Sequence, residues 1–68
     1  MNKNKLISKM KLYGDTNAVL AKAISLSPQR LSAKINETGG AEFTQSEISN
    51  IRERYRMTDQ ETAEIFFA

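Results

Sequence analysis

The chain has 68 residues, 40% of them hydrophobic, and its ten basic and eight acidic side chains give a net charge of +2. This length predicts a single domain over residues 1–68. Histidine and cysteine are both absent, which excludes disulfides and thiolate metal sites and removes the commonest general base. We therefore predict that the protein is not an enzyme and uses no cofactor, metal or small-molecule substrate.

The basic residues are concentrated in the first half of the chain. Residues 1–36 contain seven basic side chains and one acid, a balance of +6, whereas residues 37–68 contain three basic and seven acidic side chains, a balance of −4. This split indicates that the first half faces a polyanion, although lysines that only solvate the first helix would give the same pattern. The longest apolar runs, Ala18–Ala21 and Ile65–Ala68, are too short for a signal peptide or a membrane span, which predicts a cytoplasmic protein that does not enter a membrane.

Five short helices are predicted, in an all-α fold, because no run of alternating β-branched residues indicates a strand. Helix 1 runs from about Asn4 to Tyr13, and Gly14 suits a left-handed C-terminal cap. Helix 2 begins after the N-cap Thr16. The predicted inward residues of these two helices are Leu6, Ile7, Met10, Tyr13, Val19, Leu20, Ala23 and Ile24.

Helix 3 has the strongest start signal in the chain. Ser27 is its predicted N-cap, Pro28 fits the first helical position, and Leu26 and Leu31 can form a hydrophobic staple. The helix is predicted over residues 28–36, and only three residues separate it from helix 2. This is the spacing of a helix-turn-helix, although a plain helical hairpin has the same spacing.

Helices 4 and 5 each begin with a predicted capping box, in which a threonine and a glutamate three residues later bond to the first turn. The pairs are Thr44 with Glu47 and Thr58 with Glu61, and Gly39–Gly40 predict a flexible loop before helix 4. Predicted core residues here are Ile48, Ile51, Tyr55, Ala63, Ile65 and Phe66. Adjacent residues cannot both face the core, so either Phe66 or Phe67 is predicted to be exposed or in an interface.

The outward face of helix 3 carries no acid and consists of Pro28, Gln29, Arg30, Ser32, Ala33 and Asn36. Glutamine can bond to adenine through two hydrogen bonds, arginine can bond to guanine in the same way, and an alanine methyl can contact the thymine methyl. The Ser27 hydroxyl and the free N–H groups at the helix start suit a phosphate. This pattern predicts base reading by helix 3.

Residues 16–32, Thr-Asn-Ala-Val-Leu-Ala-Lys-Ala-Ile-Ser-Leu-Ser-Pro-Gln-Arg-Leu-Ser, resemble the helix-turn-helix of the lambda-repressor-like (XRE-type) family, which includes the phage CI and Cro regulators. That family usually reads Thr-Gln-x-x-Leu-Ala, followed by Gly-Val-Ser at the turn. The segments Phe43–Ile48 and Ile65–Phe67 are similar to short regulators of Gram-positive phages. The resemblance covers nearly the whole chain and implies a lambda-repressor-like domain in which helices 2 and 3 form the helix-turn-helix.

The resemblance also implies roles for individual residues. Asn17 and Ser27 are expected to contact phosphate, and Asn36 is expected to lie near the DNA backbone. The base-facing positions are those of Pro28, Gln29, Ser32 and Ala33. Two residues depart from the family pattern, because Ser25 replaces the turn glycine and Pro28 replaces a glutamine that would donate hydrogen bonds. Lys34 occupies a usually apolar position and is predicted to extend to a phosphate.

These observations predict a sequence-specific DNA-binding phage transcription regulator of the Cro kind. Its partner would be double-stranded operator DNA in the bacterial host cytoplasm, read by helix 3 in the major groove, with a homodimer engaging two half-sites. The alternative is a phage modulator or antirepressor that binds the CI repressor protein and alters its operator binding in the lysis-lysogeny switch. The predicted protein interface is Phe66 or Phe67, with Arg52 and Arg56 as a polar rim.

Overall fold

The computed structural model describes residues 1–67, which form five α-helices and contain no strand. The helices are α1 (Lys3–Leu12), α2 (Asn17–Ala23), α3 (Pro28–Ile35), α4 (Gln45–Arg54) and α5 (Asp59–Phe66). The all-α prediction is confirmed. One 3-10 turn, Thr38–Gly40, lies in the segment predicted as a flexible loop. Among these residues, no helix has both the length and the apolar character needed to cross a membrane.

Hydroxyl side chains begin four of the helices. In each case the side-chain oxygen accepts a hydrogen bond from the backbone N–H three residues later, at 3.1 to 3.3 Å, and the capping residues are Thr16, Ser27, Thr44 and Thr58. Glu47 and Glu61 complete the two capping boxes by accepting from the N-cap N–H groups. The predicted caps are therefore confirmed, and each stabilises its helix by about 1 kcal/mol.

The first four helices all end at a residue in the left-handed conformation. Gly14, Ser25, Glu37 and Arg56 have φ values of 73°, 62°, 55° and 49°. After α1, α2 and α4 the next N–H group closes a Schellman motif on a carbonyl five residues back, at 2.8 to 3.0 Å. Only one of the four residues is glycine, so the left-handed conformation is adopted three times against the steric preference of an L-residue, and two of those three residues lie in a Schellman motif.

Each helix contributes at least one residue that is no more than 2% exposed, and these residues are Leu6, Leu20, Leu31, Ile51 and Ile65. They belong to one core cluster, which also contains Ala21, Tyr55 and Met57. The inward prediction was wrong for Val19, which is 46% exposed, and for Ala23, which is also exposed. The reason is that α2 has only seven residues, and Leu20 and Ala21, with Ile24 directly after the helix, already fill its contact with the core.

Two further core predictions are corrected. Ala63 is exposed, and Thr62 is buried in its place with its hydroxyl donating to the Thr58 carbonyl at 2.9 Å. Tyr13 is 45% exposed, although its ring lies 5.0 Å from the buried Tyr55 ring and its hydroxyl donates to the Tyr55 carbonyl. The Thr62 and Tyr13 side chains therefore lie at the edge of the core, where each hydroxyl donates a hydrogen bond to a backbone carbonyl.

A polar network joins the loop before α2 to the end of α4. Arg54 donates two hydrogen bonds to the Asp15 carboxylate, at 2.7 and 3.0 Å, and the Tyr55 hydroxyl donates a third at 2.7 Å. The bonds from Arg54 lower the pKa of Asp15; burial opposes this, and the Tyr55 bond adds to it. Burial, with the Asp15 carboxylate beside it, raises the pKa of Tyr55. The network therefore holds a charged Asp15 against the edge of the core.

Candidate functional site

The exposed face of α3 borders an open surface concavity. It is lined by four of the five predicted base-reading residues, two of the predicted phosphate contacts and one further residue: Pro28, Gln29, Ser32, Ala33, Asn17, Asn36 and Thr38. None of these side chains is acidic, and five of them carry a neutral hydrogen-bonding group. The structure thus brings most of the predicted DNA-contacting residues onto one surface.

The positions of α2 and α3 explain this arrangement. Leu31 and Ile35 are buried, and with about 100° of rotation per residue the opposite face of α3 must carry Gln29 and Ala33. Gln29 is exposed, whereas Ala33 is half-buried. At the start of α2, the Asn17 amide donates to the Ser32 hydroxyl at 3.3 Å. This bond closes one side of the concavity and fixes the orientation of Asn17.

Two predicted residues near the start of α3 do not line the concavity. Ser27 is exposed, and its hydroxyl oxygen accepts from the Arg30 N–H at 3.2 Å, so the hydroxyl proton remains available for another acceptor. Arg30 is also exposed, but helical rotation places it about 160° around the axis from Ser32. Arg30 therefore flanks the face on the side away from Asn17 and is not grouped with the other base-reading candidates.

The prediction that Lys34 contacts phosphate is not supported. Its side chain is 9% exposed, and its ammonium group donates to the Glu47 carboxylate at 2.6 Å. Burial raises the pKa of Glu47, but the hydrogen bonds from Lys34 and Thr44 outweigh it, and the pKa lies below its usual range. Lys34 lies beside Ile35 on the inward side of α3, where the glutamate of the α4 capping box meets it. The capping box was visible in the sequence, but its proximity to Lys34 was not.

The positive balance of the first half is reduced by ion pairs across the fold. Three of its seven cations pair with glutamates of the second half at 2.9, 2.6 and 2.6 Å: Lys5 with Glu64, Lys9 with Glu61 and Lys34 with Glu47. The lysine partners lower the pKa of both Glu61 and Glu64. Four cations of the first half have no acidic partner within the described chain, namely Lys3, Lys11, Lys22 and Arg30.

One of these four cations borders the concavity and was not singled out from the sequence. The Lys3 ammonium group donates to the Asn36 side-chain oxygen at 3.1 Å, and Asn36 lines the concavity at the end of α3. The two residues are 33 positions apart, so no local pattern could have paired them. The structure therefore adds a cation at the C-terminal end of α3.

The predicted protein interface is only partly assembled. Phe67 is 62% exposed, whereas Phe66 is half-buried and packs edge-on against Phe43, with ring centroids 5.5 Å apart. The two phenylalanines thus face apart, as predicted. Phe67 borders a groove lined on its apolar side by Phe43, Ile48 and Phe66. Ala68, the end of the predicted apolar run, lies outside the described residues.

The arginines predicted as the rim of this interface lie elsewhere. The polar residues that line the groove are Lys34, Glu37, Glu42 and Gln45. Arg52 instead pairs with Asp59, and Arg56 is the exposed left-handed residue that follows α4. Arg52 and Arg56 therefore do not line this groove, because both residues lie at the junction between α4 and α5.

Among residues 1–67, no three acidic side chains converge as they would around a metal ion. Comparison with known proteins yields no matching family model, no significantly similar curated protein and no significantly similar solved structure.

Proposed function

We propose that the protein is a sequence-specific DNA-binding regulator of the helix-turn-helix kind, with α3 lying in the major groove of operator DNA. One observation carries the proposal. The acid-free concavity at α3 groups Gln29, Ser32, Ala33 and Asn17, which combine a base-reading amide, small groups that admit a base edge, and a candidate phosphate donor. A helix that is only solvated would more often present alternating acids and bases.

The connection between α2 and α3 supports the same proposal. Leu26 donates its N–H to the Ala21 carbonyl at 2.8 Å and packs against the core, so the turn is fixed at its centre. Ala21 is fully buried, and its small side chain allows the two helices to approach closely. A short, rigid connection of this kind holds the second helix at a constant angle to the first, which docking into a groove requires.

Gln29 is the proposed base reader. Its removal should cost about 1–3 kcal/mol on the preferred site and relax the preference at one base pair. The assay is selection from a randomised DNA duplex, followed by affinity measurements on the selected and scrambled sequences. Gln45→Ala is the control, because Gln45 is an exposed glutamine at the start of α4. Equal sequence preference in wild type and Gln29→Ala would contradict the assignment.

A second candidate function is the binding of a phage CI-type repressor, as a modulator or antirepressor. The observation that favours it is the exposed Phe67 beside the groove of Phe43, Ile48 and Phe66. An aromatic side chain next to an apolar groove is a common anchor in protein interfaces. This surface does not include the residues of the α3 concavity, so one chain has room for both activities.

A further inference from the structure

We propose that Lys3 is a phosphate-binding residue that extends the DNA-contacting surface from α3 onto the start of α1. The inference rests on the proposed function and deepens it, because it assigns a contact at the C-terminal end of α3. Its basis is the placement of the Lys3 ammonium group 3.1 Å from the Asn36 side-chain oxygen, at the edge of the concavity.

The chemistry of the ammonium group suits this role. Lysine has three donors, and Asn36 accepts one of them, so two remain for a phosphate oxygen. Lys3 is exposed, and no acid of the described chain pairs with it. The hydrogen bond to Asn36 also reduces the rotamer freedom that a surface lysine would lose on binding. Lys3 is thus a positioned cation with free donors.

Two of the other three lysines of α1 lie in different surroundings. Lys5 and Lys9 are about 40° apart around the helix axis, and both face α5, where they pair with Glu64 and Glu61. Lys3 lies about 120° or more from either of them. The four lysines of α1 therefore differ in their surroundings: two pair with acids of α5, Lys3 lies at the end of α3, and Lys11 has no acidic partner in the described chain.

The length of α3 explains why a cation at this end would matter. Its eight residues span about 12 Å, which is also about the width of the major groove. If α3 lies across the groove, polar groups near its two ends are therefore spaced to contact the phosphate backbones of both DNA strands. In this proposal, Ser27 and the free N–H groups bind phosphate at the N-terminal end of α3, and Lys3 with Asn36 binds phosphate at the C-terminal end.

The test compares Lys3→Met with Lys5→Met, which remove the same charge from the same helix. Binding to a mixed-sequence duplex of about 20 base pairs is measured between about 50 and 200 mM salt. Lys3→Met should reduce the magnitude of the log–log salt slope by about 0.9, so that the affinity ratio of wild type to variant falls about 3.5-fold over this range. Lys5→Met should keep the wild-type slope, and Lys3→Arg should restore it.

The outcomes separate the two proposals. If wild type binds duplex DNA and Lys3→Met keeps the wild-type slope, or if Lys5→Met loses as much slope as Lys3→Met, the role of Lys3 is overturned and DNA binding stands. If wild type does not bind the duplex even at about 50 mM salt, the proposed function fails and the role of Lys3 fails with it. Thermal unfolding of each variant checks that the compared proteins are folded.

Discussion

At the scale of single residues, Asp15 shows how one acid in a basic segment can serve the fold. It is the only acid among residues 1–36, and its side chain is 7% exposed. Its partners Arg54 and Tyr55 lie 39 and 40 residues further along the chain. Because the carboxylate accepts all three hydrogen bonds, it fixes the loop before α2 and thereby the start of the helix that carries Asn17.

Asp15→Asn should lower the free energy of unfolding at neutral pH by about 1–3 kcal/mol, because the buried Tyr55 hydroxyl loses a charged acceptor. The pKa of Asp15 is lowered in the folded state, below an unfolded value of about 3.9. Its stabilisation is therefore complete above that value and is lost as the pH falls through the folded pKa. Urea unfolding between about pH 6 and pH 3 should show a smaller loss of stability for Asp15→Asn than for wild type.

The matched control for this experiment is Glu53→Gln, which makes the same change of charge at an exposed side chain of α4. It should follow the wild-type pH dependence closely. Glu47, Glu61 and Glu64 also have lowered pKa values, so Asp15→Asn should retain part of the acid sensitivity. Identical curves for wild type and Asp15→Asn would show that the network around Asp15 does not stabilise the charged carboxylate.

At the scale of helices, the C-terminal caps store strain that the N-terminal caps do not. Ser25, Glu37 and Arg56 occupy left-handed conformations that cost an L-residue roughly 1 kcal/mol relative to glycine. After α2 and α4 the Schellman bonds compensate, because Leu26 and Met57 donate to the carbonyls of Ala21 and Arg52. Leu26 packs against the core and Met57 belongs to it. These contacts hold both helix ends in place despite the left-handed conformations of Ser25 and Arg56.

Ser25→Gly should raise the free energy of unfolding by about 0.5–1 kcal/mol, since glycine removes the left-handed strain at φ 62°. Ser49→Gly is the control. Ser49 is exposed inside α4, where the same substitution should lower stability by about 0.5 kcal/mol. Thermal or urea unfolding measures both. A destabilised Ser25→Gly would mean that the serine side chain contributes more to the turn than its backbone strain costs.

Two surfaces of the folded chain carry the proposed functions. The concavity at α3 contains neutral polar groups with Lys3 at one end, whereas the groove beside Phe67 is apolar with Glu37 and Glu42 among its polar residues. Acids close to the apolar groove disfavour a phosphate backbone there. This difference in charge supports the proposal that nucleic acid binds the first surface and a protein partner binds the second.

Phe67→Ser should weaken self-association or binding to the CI-type repressor, while stability changes by no more than about 0.5 kcal/mol because the side chain is 62% exposed. Leu12→Ser is the control, since Leu12 is 75% exposed at the end of α1 and does not line the Phe67 groove. Sedimentation velocity with and without repressor measures association. If wild type and Phe67→Ser are both monomeric and bind repressor equally, Phe67 serves the fold alone.

Local signals in the sequence were sufficient to predict the five helices and most of the surface of α3. Ser27, Thr44 and Thr58 mark helix starts because each side-chain oxygen accepts a hydrogen bond from the N–H group three residues later. Contacts between residues so close in the chain can be predicted from the local sequence. The burial of Leu31 likewise follows from helical periodicity, which turns Gln29 outward. These features were predictable because their causes act within about one turn of helix.

The partner of each lysine could not be predicted, because it depends on how separate helices pack together. Lys34 pairs with Glu47 across 13 positions, Lys3 reaches Asn36 across 33, and Lys5 reaches Glu64 across 59. The sequence does not distinguish these lysines from one another. The role of each depends on which part of the fold packs against the face of the helix that carries it. Ion pairing is a property of distances between separate helices, and those distances are fixed by the shared core. The positive balance of the first half could therefore be counted in the sequence, whereas the four cations that have no acidic partner in the described chain could not be identified from it.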